Sequence, residues 1–134
     1  MTAQNVQKLK EAYEALNTGD APGALAVLDD EAEWHEHSDL PEAGCYRGRA
    51  TIQSFLESFL DSWEAFVQEI EDVVDVDDKV AIYLHMHGRG KGSGIAVETR
   101  YAHVWTMRGG RGVRVDAYYD RDRAREALQQ ARSN

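Results

Sequence analysis

Residues 31–39, EAEWHEHSD, place a tryptophan, two histidines and several carboxylates within one short stretch. Side chains alternate between the two faces of a strand, so an extended backbone would put Glu33, His35 and His37 on one face. Those donor types suit a transition metal. The opposite face would carry the alternate set, Ala32, Trp34 and Glu36. This second face would place a carboxylate beside an indole, which is a setting for acid–base chemistry.

A second pair of histidines, His85 and His87, stands in the segment YLHMHG. The strand predicted at 79–88 has an apolar side, so this pair should point outward, toward solvent or a second copy of the chain. The residues of the apolar side are Val80, Ile82, Leu84 and Met86. Neither histidine pair completes a metal site by itself, and we therefore expect no metal and no cofactor.

Helical spacing of apolar residues dominates the first half of the chain. It predicts helices over 5–17 and, most clearly, over 49–63. A short helix should follow Asp20, whose side chain can cap its first turn. A polar helix near the C-terminus would turn Ala124 and Leu128 inward. These helices must bury their apolar stripes against another surface.

From residue 65 onward the hydrophobic period becomes two, which predicts strands. Short turns separate them, so neighbouring strands should pair in an antiparallel meander. Their ranges are 65–76, 79–88, 95–108 and 113–119. Residues 38–48, rich in glycine and proline, are predicted to form a loop. With the early strand at 31–39, the order favours an α+β fold with five main strands.

Length and composition limit the function. A chain of 134 residues is typical of one domain, here 1–134 with its core at about 5–130. The net charge of −9 argues against nucleic acid as a partner. No apolar run is long enough to span a membrane. Cys45 is the single cysteine, so no internal disulfide can form, and we expect a reducing, cytoplasmic location.

Five segments occur in an order that resembles the SnoaL-like branch of the nuclear transport factor 2-like, or ketosteroid isomerase-like, superfamily. They are NTGD, EAEWHEH, YRGRATIQSFL, VETRYAHVWTMRGGR and VDAYYD. The resemblance implies an α+β cone, in which a curved, mostly antiparallel sheet wraps around the N-terminal helices and encloses a pocket. It also implies that the first strand lies beside the last, which would keep the two histidine pairs strands apart. Homodimers that pack through the outer sheet face are common in this superfamily, and we expect one here.

The resemblance assigns two candidate catalytic residues, Glu36 and His103. Counting from the shared Gly-Asp, Glu36 falls where the isomerases carry their catalytic aspartate, and a dry pocket wall would let it move a proton near neutral pH. His103 falls near an acid that hydrogen-bonds the substrate oxygen, a role that neutral imidazole can take. The alternatives are a carboxylate at a solvated strand end and a buried histidine that its neighbours satisfy.

Aromatic residues are the candidate substrate-binding groups. They are Tyr13, Trp34, Phe59, Trp63, Tyr101, Trp105 and Tyr119; packing of the core is the alternative role for the tryptophans. The loop at 38–48 could add Leu40 and Tyr46, whereas Cys45 has no base fixed beside it and is not expected to be a nucleophile. The isomerases' oxyanion tyrosine would fall at Ala12, and Tyr13 points about 100° away from that direction on a helix. Ketosteroid isomerase chemistry is therefore not supported.

Two functions remain open. In the first, the protein is a cofactor-independent isomerase, cyclase or dehydratase that acts on a small, hydrophobic, oxygenated molecule by acid–base chemistry. In the second, the same pocket binds a ligand without turning it over, or the protein has a dimeric structural role. A polar pair held in an apolar pocket would favour the enzyme. A pocket filled by its own aromatic side chains would favour the second function.

Overall fold

The computed structural model describes residues 2–37 and 44–133. Its elements follow the predicted order of helices before strands, and the α+β class is confirmed. The helices are α1 (Thr2–Asn17), α2 (Ala21–Leu25), α3 (Arg49–Asp61) and α4 (Arg121–Ser133). The strands are β1 (Leu28–His37), β2 (Cys45–Arg47), β3 (Trp63–Val76), β4 (Lys79–Gly90), β5 (Ala96–Arg108) and β6 (Arg111–Tyr118).

All six strands form one curved sheet in the order β2-β1-β6-β5-β4-β3. The β1–β6 pair is parallel, and every other neighbouring pair is antiparallel. The first strand therefore lies beside the last, as expected, and β6 and β5 separate β1 from β4. Within the described parts of the chain, no helix has both the length and the apolar character that crossing a bilayer requires.

The main core lies between the inner face of the sheet and the helices. Helix α1 contributes Leu9 and Tyr13, and α3 contributes Ile52, each from an apolar stripe at helical spacing. Inward-facing residues of β4, β5 and β6 complete the cluster, among them Ile82, Leu84, Trp105 and Val115. Asp20 accepts a hydrogen bond from the Gly23 backbone N–H, so the predicted cap of α2 forms.

Helix α4 packs on the opposite, outer face of the sheet. Its Ala124 and Leu128 are buried, as their spacing predicted, but they contact outward-facing residues of the meander. Those residues are Val76, Ala81, Tyr83, Ala102 and Val104. Periodicity identifies the apolar side of a helix and not the surface that receives it. The centre of the outer face is therefore covered by the chain's own last helix.

The predicted loop at 38–48 was wrong at its second end. Residues 45–47 form β2, which pairs with β1 through the Trp34–Tyr46 register and adds a sixth strand to the sheet. Three residues are too few for an alternation signal, and only the partner strand makes them extended. Leu40, which the sequence suggested as a ligand contact, lies outside the described residues.

Candidate functional site

A cavity of about 100 Å³ lies between the inner face of the sheet and helices α1, α2 and α3. This is room for several water molecules or one small organic group. Its wall is mostly apolar. The lining residues are Ala12, Tyr13, Leu16, Ala24, Leu25, Trp34, Glu36, Ile52, Phe55, Leu56, Phe59, Phe66, Gln68, Tyr101, His103, Trp105 and Tyr119. Few polar groups on an apolar wall are typical of small-molecule sites.

Glu36 and His103 face the cavity from one row of the sheet. Glu36 of β1 pairs with Ala117 of β6, and Ala117 in turn pairs with His103 of β5. Direct cross-strand partners point to the same face, so all three side chains share the inner side. Two strand spacings separate the outer members, about 10 Å between their Cα atoms. The residue between them is the buried Ala117, and the indole of Trp34 contacts both the carboxylate and the imidazole.

A hydrogen-bonded chain fixes the His103 ring. Trp105 Nε1–H donates to the Tyr13 hydroxyl over 2.9 Å, and this hydroxyl lies 2.6 Å from His103 Nδ1. An indole N–H can only donate, so the chain is complete when Tyr13 O–H donates to an unprotonated Nδ1. The neutral ring then carries its hydrogen on Nε2, the nitrogen that Tyr13 does not engage. The site thus holds an imidazole N–H donor without a positive charge.

Burial keeps this chain uncharged. Desolvation lowers the pKa of His103 to about 3, because an imidazolium would lose its hydration without gaining a carboxylate partner. Desolvation also raises the pKa of Tyr13 far above its ordinary value, and it outweighs the hydrogen bond from Trp105. Both groups therefore remain neutral near pH 7.

Glu36 is held by two donors at the half-buried end of the cavity. Trp34 Nε1–H donates to one carboxylate oxygen over 3.0 Å, and Tyr119 O–H donates to the other over 2.7 Å. Partial burial and the Glu36 charge raise the pKa of Tyr119, so its hydroxyl stays protonated. The indole of Trp34 also meets the His103 ring edge-on, at 5.0 Å between ring centroids. One tryptophan thus touches both candidate catalytic groups.

Gln68 is a cavity residue that sequence reasoning missed. It is 6% exposed, and its amide nitrogen donates to the Tyr101 hydroxyl, while its amide oxygen is buried without a hydrogen-bond partner. Burial raises the pKa of Tyr101 to about 12, against the effect of the Gln68 hydrogen bond. The signal was present in the sequence, since Gln68 shares its strand parity with Phe66 and Ile70. Gln68 therefore lines the cavity, but its amide oxygen itself is covered by neighbouring atoms.

A comparison with known families supplies the classification. The family model described as a SnoaL-like domain matches residues 9–115. The chain belongs to the SnoaL-like family. A search of curated proteins finds no match to this SnoaL-like protein.

Solved structures confirm the fold of this SnoaL-like protein. TerC, co-crystallised with polyporic acid, is 19% identical, with a TM-score of 0.77 over 94% of this chain and 98% of TerC. An NTF2-like protein of unknown function from Burkholderia pseudomallei K96243 is 19% identical, with a TM-score of 0.78 over 93% and 97%. A putative SnoaL-like polyketide cyclase from Jannaschia sp. CCS1 is 15% identical, with a TM-score of 0.77 over 94% and 92%.

The cavity brings together most of the predicted site residues of this SnoaL-like protein. Both candidate catalytic residues line it, and so do six of the seven predicted aromatic residues. Tyr13 and its helix neighbour Ala12 both line it, so the difference of about 100° between their directions does not keep Tyr13 out of the cavity. Trp63 does not line it. Its ring packs against Phe59 and Phe66 at one edge of the sheet.

Gly112 explains how Trp105 reaches its position. A Cβ atom on this residue would lie 2.8 Å from Trp105 Cε3, closer than real contacts allow. The absent side chain therefore lets the indole lie flat against β6. The sequence motif RGGRG predicted a turn, and the close approach of an aromatic ring to its last glycine is a further constraint.

Among the residues that the structure describes, two groups of side chains on the outer sheet face have metal-binding donors. Glu33 and His35 of β1 meet Cys45 of β2, with His35 Nε2 lying 2.7 Å from Glu33 Oε1 and 3.6 Å from Cys45 Sγ. A second group surrounds His85 and His87 on β4. As expected, the two histidine pairs are not on neighbouring strands, because β6 and β5 lie between β1 and β4. From each histidine pair alone, we expected an incomplete set of metal ligands. In the structure, neighbouring strands add the thiol of Cys45 beside His35 and carboxylates beside His85 and His87.

Proposed function

We propose that this SnoaL-like protein is a cofactor-independent acid–base enzyme that acts on a compact, hydrophobic, oxygenated molecule. The proposal rests on one observation: a carboxylate and a neutral imidazole face the same apolar cavity across a single alanine. Isomerisation, cyclisation and dehydration all need a proton moved beside an oxygen that gains negative charge.

Glu36 carries the proton in this mechanism. Its carboxylate removes a proton from the carbon next to a substrate carbonyl, or from the carbon next to one that bears a hydroxyl group. Trp34 and Tyr119 orient the carboxylate, and their hydrogen bonds hold each of its two oxygens. The same carboxyl group then returns the proton at a second position, or to a leaving hydroxyl.

His103 stabilises the oxygen on which charge develops. Its Nε2–H donates a hydrogen bond from a ring that Tyr13 and Trp105 hold in one orientation. A donor fixed before the reaction begins needs no reorganisation in the transition state.

Two structural relatives favour this substrate class. One was co-crystallised with polyporic acid, and another is described as a putative polyketide cyclase. Their identities with this chain are 19% and 15%, so they support a hydrophobic, oxygenated ligand and not a particular compound.

Hydrogen exchange with solvent tests the proposal. Hydrophobic hydroxyketones and quinones, with polyporic acid among them, are first screened for quenching of tryptophan fluorescence. Bound compounds are then incubated in D2O, and deuterium uptake at carbon is followed by mass spectrometry.

Glu36→Gln should reduce uptake by about 100-fold or more, within the usual range for a general base. Glu31→Gln, an exposed carboxylate on the same strand, is the matched control and should leave uptake unchanged. Equal uptake in wild type and Glu36→Gln would remove Glu36 from the mechanism.

The small cavity volume favours the second function, ligand binding without turnover. About 100 Å³ is tight for a multi-ring substrate. In that case compounds would quench tryptophan fluorescence in wild type and Glu36→Gln alike, and no deuterium would enter at carbon.

We also propose a cytoplasmic homodimer that uses the part of the outer sheet face beyond α4. Val67 and Val97 are 40% and 38% exposed there, beside His87. Light scattering at micromolar concentration should give twice the chain mass, and a monomer would contradict this assembly.

A further inference from the structure

His85 and His87 share the outer face of β4 with carboxylates from both neighbouring strands. Ligand atoms of Glu69, His85 and His87 all lie within 4.8 Å of one another. The two imidazole rings are 4.1 Å apart between centroids, and His87 Nε2 lies 3.6 Å from Glu69 Oε1. Two histidines and one carboxylate form a recurring ligand set for divalent transition metals.

A β-bulge creates this grouping. Next to the turn, Val76 pairs with Lys79, and regular counting from that pair would set Ile70 opposite His85. The register shifts between Ile70 and Asp72, so Glu69 stands opposite His85 instead. The bulge keeps Ile70 in the core and directs the carboxylate of Glu69 to the histidine face.

The surrounding charges leave room for a cation. Glu71 is paired with Arg100 and Arg121. For Glu69 and Glu98, the close basic partners among the described residues are the two imidazoles themselves. Two carboxylates thus lie against two imidazoles, and Arg100, the cross-strand partner of His85, adds a positive charge that acts on Glu98.

His85 is oriented for coordination. Its side chain is 10% exposed, and its Nε2 is hydrogen-bonded to Glu98 Oε1 over 2.5 Å. Metal-bound histidines usually donate their second ring nitrogen to a carboxylate in this way, which fixes the ring and raises its basicity. The other ring nitrogen, Nδ1, is not part of this hydrogen bond and lies 3.9 Å from Glu71 Oε2.

We infer that Glu69, His85 and His87 bind a divalent transition metal such as Zn²⁺, with Glu98 positioning His85. Three protein ligands leave at least one coordination position open. A shallow outer-surface hollow adjoins the site at His87, and the homodimer proposed above would cover it. This site lies on the other side of the sheet from the cavity that contains Glu36 and is independent of the proposed enzyme mechanism.

Zinc titration of the chelator-treated, full-length protein tests this site by calorimetry. The variants His87→Asn and Glu69→Gln change side chains that are 45% and 61% exposed, so both should fold, as circular dichroism can verify. Each should weaken a zinc-binding event by at least about tenfold, since even residues that only support a ligand cost this much. Cys45→Ser is the control, because it removes the thiol of the other donor group.

The result that supports the site is a zinc-binding event that both variants weaken and Cys45→Ser leaves intact. The site is excluded if zinc does not bind, or if every binding event survives in His87→Asn and Glu69→Gln. Histidine side-chain NMR gives a second measurement: the ring signals of His85 and His87 should shift on zinc addition, and those of His103 should not.

Discussion

His103 and His85 are equally buried on neighbouring strands of one sheet, yet they have opposite surroundings. The two residues are 7% and 8% exposed. On the inner face, His103 contacts the neutral hydroxyl of Tyr13, the indole of Trp34 and the ring of Tyr101. On the outer face, His85 contacts the carboxylates of Glu98 and Glu71. The partners of a buried histidine, more than its exposure, determine whether it can serve as a neutral donor or as part of a cation site.

The same contrast holds across the two faces as a whole. Polar groups on the outer face are ion pairs that solvent reaches, and the hydrogen bond from His85 lowers the pKa of Glu98. On the inner face, Trp105, Tyr13 and His103 form a short neutral chain in a dry wall. Changes on the inner face should therefore cost more than matched changes outside.

The largest difference should appear in the pH dependence of stability. The folded-state pKa of His103 is about 3, against about 6.5 in the unfolded chain. Between these values the unfolded state binds an extra proton, so stability falls as the pH falls. His103→Gln should remove about 1.4 kcal/mol of this loss per pH unit below 6.5. Urea unfolding between pH 6.5 and pH 4.5 measures it, and parallel curves for the two proteins would contradict the neutral assignment.

Removing the central hydroxyl should have the next largest effect. Tyr13→Phe leaves the Trp105 N–H and His103 Nδ1 buried without a partner, which should cost about 1–3 kcal/mol of unfolding free energy. Tyr118→Phe changes a partly exposed tyrosine on the outer face and should cost less than about 0.5 kcal/mol. Chemical denaturation of both variants measures these losses of unfolding free energy. Equal losses in the two variants would contradict the proposed difference between the inner and outer faces.

An outer ion pair should matter least. Arg100 is 53% exposed and pairs with Glu71. Arg100→Gln should therefore change the unfolding free energy by less than about 1 kcal/mol, and the change should shrink further in high salt. A larger, salt-independent loss would show that the outer network is as rigid as the inner chain.

Alternation along the strands was sufficient to predict which side chains of β1 and β5 face inward. It placed Trp34 and Glu36 on one face of β1, and Tyr101, His103 and Trp105 on one face of β5, all of which line the cavity. The resemblance to a known family added the sheet order. Which residues stand side by side depends on that order, because alternation acts within one strand only.

Cross-strand register could not be predicted, and it decides the remaining features. The bulge in β3 places Glu69 beside His85. No residue near position 71 is of a type that would predict a bulge there. Gln68 was accessible through its parity but was not recognised as a cavity residue. Which sheet face Leu128 packs against also depends on the tertiary arrangement, because the amphipathic helix α4 could bury its apolar side against either face.

The protonation of the His103 ring is the central claim, and nitrogen NMR measures it directly. In protein labelled with ¹⁵N at histidine, the spectrum at about pH 5 should show His103 neutral, with hydrogen on Nε2 and none on Nδ1. An ordinary histidine, with a pKa of about 6.5, would be mostly protonated there. A charged His103 ring at this pH, or hydrogen on Nδ1, would contradict a neutral donor in the cavity.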